Sequence, residues 1–217
     1  MARLGFFLAL VAAQLPSADA VARVSLVFDV YSFDKPSAMV TQLRPALNLI
    51  SKLAGQILGE EVEIRLQVVR SYKAGIDHLI TGKFDFMRLG PASYVMAKSR
   101  DSGIRILTME KKNGEKTFIG VISVPSASNL TDIRQLRGKT FAFGSKRSTL
   151  GRYFAQLTLM RAGIYAKDLK RYEYLGRHDQ VGMAIGAQLF DAGALEETTF
   201  AKLVSRGVPI RGPGQIS

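Results

Sequence analysis

The sequence predicts an α/β protein of two lobes with a ligand cleft between them. Between residues 24 and 109, short β-branched runs alternate with helical stripes in the order β-α-β-α-β-α-β. That alternation is the signature of a parallel sheet covered by helices. After a polar turn at 111–116 the same recipe begins again and runs from 118 to 203. A chain of 217 residues, 47% of them hydrophobic, can bury the cores such an arrangement needs.

Taken in order, Val24–Val30 reads as a buried first strand, followed by a loop at Tyr31–Pro36. Met39–Leu58 carries apolar residues at 39, 40, 43, 47, 50, 53, 54, 57 and 58, a helical stripe ended by Gly59. Pro45 falls inside it and is expected to start or kink the helix rather than sit in its middle. Val62–Val69 alternates as a strand, and Tyr72–Ile80 is a short helix stopped by Gly82. Phe84–Leu89 is a third strand, Ala92–Lys98 a helix and Ile104–Met109 a fourth strand. Phe118–Val124 is the crossing into the second lobe, and Leu130–Ile133 starts a short helix ending at Gly138. Leu169–Leu175 (strand), Gln180–Leu189 (helix), Phe190–Ala194 (strand) and Glu196–Leu203 (helix) complete the pattern. Glu115–Gly120 and Ala192–Thr198 are the candidate hinges.

The stretch from Phe141 to Gly163 organises the second half: an apolar run, a polar turn from Gly144 to Gly151, then a helical pattern. Ser148 is a good N-cap, because its hydroxyl can accept an orphan backbone N–H one turn ahead. Thr149, Leu150 and Gly151 would then present N–H groups at the positive end of a helix dipole, which suits an anion. Lys146, Arg147 and Arg152 add positive charge beside it. From this stretch alone, an ordinary capped helix with a solvated basic turn reads equally well.

Residues 1–20 read as a secretory signal peptide: Arg3, an apolar run Leu4–Leu15, and Ala18-Asp19-Ala20 as the cleavage signal. A retained N-terminal anchor is the alternative. Without cysteine, thiolate zinc is excluded, and two histidines exclude a histidine-rich metal site. The net charge of +12 suits anionic small molecules, an anionic membrane surface or nucleic acid. Export, with no zinc-finger spacing and no basic stripe interleaved with aromatics, argues against nucleic acid. No G-x-S-x-G elbow, Walker A or His-Glu-x-x-His motif is present, so no catalytic constellation and no cofactor are expected.

Six stretches in order resemble the extracytoplasmic solute-binding proteins of phosphate/phosphite/phosphonate-type ABC importers. They are Tyr72-Lys73-Ala74-Gly75-Ile76; Gly82–Phe86 followed by Gly90-Pro91-Ala92-Ser93-Tyr94; Leu130–Lys139; Ser148-Thr149-Leu150-Gly151; Gly176-Arg177-His178-Asp179; and Phe190-Asp191-Ala192-Gly193-Ala194. The resemblance implies a type II periplasmic-binding-protein fold, with lobe 1 at 21–117, lobe 2 at 118–194 and an apparently shortened return segment towards lobe 1 at 195–217. It implies a periplasmic monomer that captures a small anionic ligand (phosphonate, phosphite or phosphate) for a membrane permease. A ligand-sensing module serving a membrane receptor or histidine kinase, or a binder of another small anion, are the alternatives.

The resemblance also assigns residues. Ser148 and Thr149, with the N–H groups up to Gly151, would hold the anion's oxygens; Tyr72 would donate from the other lobe, and His178 from the loop before a helix. Glu196 would lie near the ligand's substituent, although a solvated residue in a helix's first turn is the plainer reading. Gly90 lets backbone approach the cleft, and Tyr94 lines it or merely packs. Asp85 and Asp191 read as caps at strand starts. Leu150 is a departure, since it stands where relatives often carry a second serine and removes one hydroxyl from the cradle.

Overall fold

Arg23–Tyr31 (β1) is the middle strand of a parallel three-stranded sheet, order β2-β1-β3, with Glu61–Val69 (β2) and Phe86–Arg88 (β3). The computed structural model describes residues 23–31, 36–111 and 114–212. The signal-peptide reading at 1–20, most of the 31–36 loop, part of the 111–116 turn and the last five residues lie outside these.

β1 and β2 pair in register from Arg23↔Glu61 to Tyr31↔Val69. The two-residue period therefore sends Val24, Leu26 and Phe28 to one face with Val62, Ile64 and Leu66. There they meet Leu43, Leu47 and Ala54 of the helix Pro36–Leu58 (α1). Asp29 and Tyr31 take the opposite face, towards Tyr72–Ile80 (α2) and Pro91–Arg100 (α3). Pro45 lies well inside α1, contrary to the expectation of a helix start. It is tolerated because the Thr41 carbonyl it cannot bond belongs to an exposed turn, where water can serve it.

The strand expected at Ile104–Met109 is irregular and exposed, with Leu107 at 77%. Its apolar residues made it look like a strand, but a strand needs an edge to pair with, and β3 offers only three residues. Side chains hold the stretch instead: Lys98 Nζ donates to the Ile104 carbonyl at 2.8 Å, and Arg88 pairs with Glu110 at 2.6 Å.

The second sheet has five strands in the order β6-β5-β7-β4-β8. These are Gly120–Pro125 (β4), Thr140–Phe143 (β5), Arg171–Tyr174 (β6), Ala192–Glu196 (β7) and Ile210–Arg211 (β8). β5 runs parallel to β6 and β7, while β4 runs antiparallel to β7 and β8. One face buries Phe141, Phe143, Ile122 and Val124 against Leu159 of Ala155–Arg161 (α4) and Ile164. The other buries Ala142 and Leu195 against Val181 and Ile185 of His178–Gly186 (α5) and Leu203 of Glu197–Ser205 (α6). Gly193 sits where a Cβ would lie 2.7 Å from the Ala142 carbonyl, so only glycine lets β7 approach β5 this closely.

Two expectations about the second half change. The described part of the 195–217 segment stays on the second sheet: Leu203 joins its core, and Val124↔Arg211 pairing zips β8 onto β4. The candidate hinge at Ala192–Thr198 is mostly central strand, with Ala192 and Leu195 fully buried. Only its end, beside Ile119 through the Glu197 N–H to Ile119 carbonyl bond, lies at the crossing. Among the described residues, no helix is long and apolar enough to cross a membrane.

Candidate functional site

The two sheets meet where β1 ends, where α2 and α3 begin, and where the polar turn after β5 leads into a helix. Ligand crevices in open α/β sheets form at such carboxyl ends of strands. Tyr31 is the last residue of β1. Tyr72 opens α2, fixed there because the Ser71 hydroxyl caps the helix by accepting the Ala74 N–H at 3.1 Å. The two rings lie 4.3 Å apart, inclined at 34°. The Tyr31 hydroxyl accepts the Gly90 N–H at 2.7 Å and donates to Ser93 Oγ at 3.1 Å. One phenol thereby ties β1 to the first turn of α3.

From the other lobe, Ser148 caps the helical segment as expected, accepting the Gly151 N–H at 3.0 Å while itself only 3% exposed. The first turns, Thr149–Phe154, are π-helical rather than α-helical, and the Tyr153 N–H reaches back to the Ser148 carbonyl. Ser148 also hydrogen-bonds Tyr72 across the cleft. Thr149 crosses too: its Oγ1 accepts the Ala92 N–H of α3 at 3.1 Å. A hydroxyl that accepts in this way keeps its own proton free for an anion.

The Gly151 N–H, expected to face the ligand, is spent on Ser148. Among the described residues, the Ser145, Lys146, Thr149 and Leu150 N–H groups of this turn make no hydrogen bond, and Thr149 and Leu150 carry theirs at the start of the helical segment. Gly151 is required by space: a Cβ there would lie 2.9 Å from His178 Cε1 and 3.0 Å from Gly144 Cα. Gly144 in turn donates its N–H to the Gly151 carbonyl at 2.8 Å.

Electrostatics fix the protonation states. Burial, with Tyr31 and Glu196 nearby, pushes the Tyr72 phenol up to about 12 against the opposing Ser148 bond, so it is a donor at neutral pH. Burial likewise raises Tyr31. His178 is no surface histidine. Burial lowers its pKa, with Glu196, Asp179 and the Ala194 carbonyl opposing. Its ring bonds the Ala194 carbonyl, and Nδ1 is buried with no partner. With its N–H given to the Ala194 carbonyl, the neutral His178 ring keeps a buried, unprotonated Nδ1 and has no N–H left for an anion, where the sequence suggested a donor.

Glu196 ends β7 close enough to perturb both Tyr72 and His178, and its carboxylate accepts the Thr198 hydroxyl at 2.7 Å. It is half-buried and precedes α6 rather than belonging to its first turn. Leu150 lies over Gly120 of the crossing strand, its Cδ2 3.4 Å from where a Cβ would stand. Gly90 is the N-cap of α3. Tyr94 makes no phenol hydrogen bond among the described residues; its neighbour Ser93, 1% exposed, is the one that joins the site. Asp85 and Asp191 are braces: Asp85 accepts the Val27 N–H, and Asp191 accepts both the N–H and the hydroxyl of Thr140. Tyr31 and Ser93 were missed by sequence reasoning, although Tyr31's place at the end of the first strand was a signal. No group of residues able to hold a metal ion occurs among those described.

Two α/β lobes that bring hydroxyls and helix N-termini together across a cleft define a type II periplasmic binding protein. The chain belongs to the family of phosphonate-type ABC transporter periplasmic substrate-binding proteins, whose pattern matches residues 28–213. A curated relative is the probable ABC transporter phosphite-binding protein PhnD1 of Prochlorococcus marinus (strain MIT 9301), 27% identical over 191 residues. That match covers 80% of this chain and 64% of PhnD1, so the chain spans less than two thirds of its relative. Among solved structures, PhnD1 in complex with methylphosphonate matches with a TM-score of 0.67 at 24% identity, over 87% of this chain and 71% of that one. XAC2383 from Xanthomonas citri bound to chloride matches at 0.71 and 21% identity, over 89% and 73%. The binding component PA3383 of a Pseudomonas aeruginosa phosphonate transporter matches at 0.69 and 15%, over 88% and 64%. These likenesses establish the fold.

Proposed function

We propose that this chain captures a small phosphorus oxyanion or organophosphonate in the periplasm and delivers it, as a monomer without cofactor, to an ABC permease. The observation that carries this reading is the convergence of Tyr72 and Ala92 from one lobe on Ser148 and Thr149 from the other. Anion oxygens entering there meet hydroxyl protons and unspent N–H groups at the positive end of a helical segment. The lobes, 21–117 and 118–194, close on the anion about Glu115–Gly120 and the end of β7. Burial of the ligand replaces its hydration with these fixed donors, and no bond is made or broken. The family description and PhnD1, named for phosphite and solved with methylphosphonate, support this class of ligand.

A thermal-shift screen of residues 21–217 tests it, with phosphate, phosphite, methylphosphonate, 2-aminoethylphosphonate, sulfate and thiamine-type pyrimidines as ligands. A ligand at 100 times its Kd adds about 2.7 kcal/mol to the folded state. The expected result is stabilisation by a phosphorus anion that is lost in Ser148→Ala and Thr149→Ala. A folded protein unmoved by every phosphorus anion overturns the reading.

A further inference from the structure

The chain neighbours of Tyr72 and Ser148, which meet across the lobes, help to line a separate cavity. Lys73 follows Tyr72, Arg147 precedes Ser148, and both line one cavity of about 290 Å³ with Ile76, Asp77, Met96 and Arg100. The walls thus come from α2, α3 and the turn of the opposite lobe. Asp77 is already shared: Lys73 Nζ lies 2.5 Å and Arg100 Nη1 2.6 Å from its two oxygens. Both cations hold its carboxyl down to about 2, so it stays ionised. The Arg147 guanidinium makes no ion pair or hydrogen bond among the described residues. Three cations around one carboxylate leave the cavity with a surplus of positive charge, on an apolar floor of Ile76 and Met96.

We propose that this cavity receives a second anionic group on the ligand's substituent, so that the preferred ligand is an organophosphonate carrying a carboxylate or a further phosphoryl group. The inference rests on the phosphonate-binding reading and extends it to the choice of ligand. The phosphonate occupies the layer of Tyr72, Ser148 and Thr149. The substituent passes between Ile76 and the turn, and its distal anion takes Arg147 as partner. An arginine there offers a planar fork that matches a carboxylate or phosphoryl group. Because Arg147 and Arg100 belong to opposite lobes, a distal anion between them also favours the closed arrangement.

Calorimetric titration of residues 21–217 with methylphosphonate, phosphonoacetate and 2-aminoethylphosphonate tests this, read as ratios of affinity. The expected result is phosphonoacetate binding at least tenfold more tightly than methylphosphonate. In Arg147→Ala that ratio falls to near one, and in Arg147→Lys, which keeps the charge and loses the fork, it falls between the two. Raising the salt lowers the ratio as well. A wild-type ratio of one or less, a preference for 2-aminoethylphosphonate, or a ratio that survives Arg147→Ala overturns the proposal. Failure to bind any of the three ligands overturns the phosphonate reading itself, whereas methylphosphonate binding without a carboxylate advantage overturns only the distal site.

Discussion

The backbone N–H of Ala92, in the first turn of α3, donates to the hydroxyl of Thr149 in the opposite lobe at 3.1 Å. Pro91 opens that helix and has no N–H, so Ala92 carries the first donor its N-terminus can offer. Thr149 caps it from outside. The bond sets the separation of the lobes at the point where the ligand is proposed to sit, and it orients the hydroxyl proton away from α3.

Thr149→Val keeps the shape and removes both functions. A hydrogen bond to a charged partner contributes about 1.5–3 kcal/mol, so affinity for the bound phosphorus anion should fall about 10- to 150-fold. Thr149→Ser should stay close to wild type. Isothermal titration of both variants checks it, and equal losses in the two would show that the hydroxyl is not the operative group.

Tyr31→Phe retains the ring beside Tyr72 but leaves the Gly90 N–H and the Ser93 hydroxyl without their partner. An unsatisfied group at this depth costs about 1–3 kcal/mol. Urea unfolding should show a loss in that range, and ligand affinity should fall with it, because Tyr31 positions the start of α3. A variant as stable as wild type that binds normally would remove Tyr31 from the site.

Much of this was legible in the sequence, for identifiable reasons. Ser148 announced a cap, and the strand–turn–helix pattern placed it at a helix start, because capping chemistry is local. The α2 boundaries at Tyr72 and Ile80 followed from apolar residues at helical spacing and a glycine just beyond the far end. The π-helical turn after Ser148 was not legible, since Gly151 packs both against Gly144 of the same turn and against His178 of a distant stretch. The irregular 104–109 stretch was misjudged for the same reason: its apolar residues are visible, whereas the lack of a pairing edge is a property of the sheet. Ser93 was hidden because it gains its role only through the Tyr31 hydroxyl.

Gly151→Ala probes that three-way contact. Its Cβ would be forced to within 3.0 Å of Gly144 backbone and 2.9 Å of the His178 ring. Backbone cannot give way cheaply, and overpacking typically costs about 1–3 kcal/mol. Binding should weaken by more than the stability loss alone suggests, since the turn carrying Thr149 and Leu150 must shift. Chemical unfolding and titration together test this; a variant that is destabilised yet binds with wild-type affinity would separate the turn from the site.

The pH dependence of stability should carry two opposed contributions from buried groups. Asp29 is fully buried on β1 and neither oxygen makes a well-formed hydrogen bond. Burial pushes its carboxyl up to about 6, with the Val30 backbone offsetting part. A carboxyl that holds its proton more tightly in the folded state loses stability as pH rises from its unfolded value near 3.8 through 6. At 1.36 kcal/mol per pH unit, the full cost above pH 6 is about 3 kcal/mol. His178 acts in the opposite sense: its pKa is lowered by burial, so the folded state resists protonation and loses stability as pH falls below the ordinary imidazole value of 6.5. Asp29→Asn should therefore stabilise the protein at pH 7.5 and leave it little changed at pH 4. The remaining profile should then rise with pH in the range where His178 titrates. Urea denaturation from pH 4 to 8 on wild type and variant measures both, and identical slopes would show that Asp29 keeps its charge at no cost.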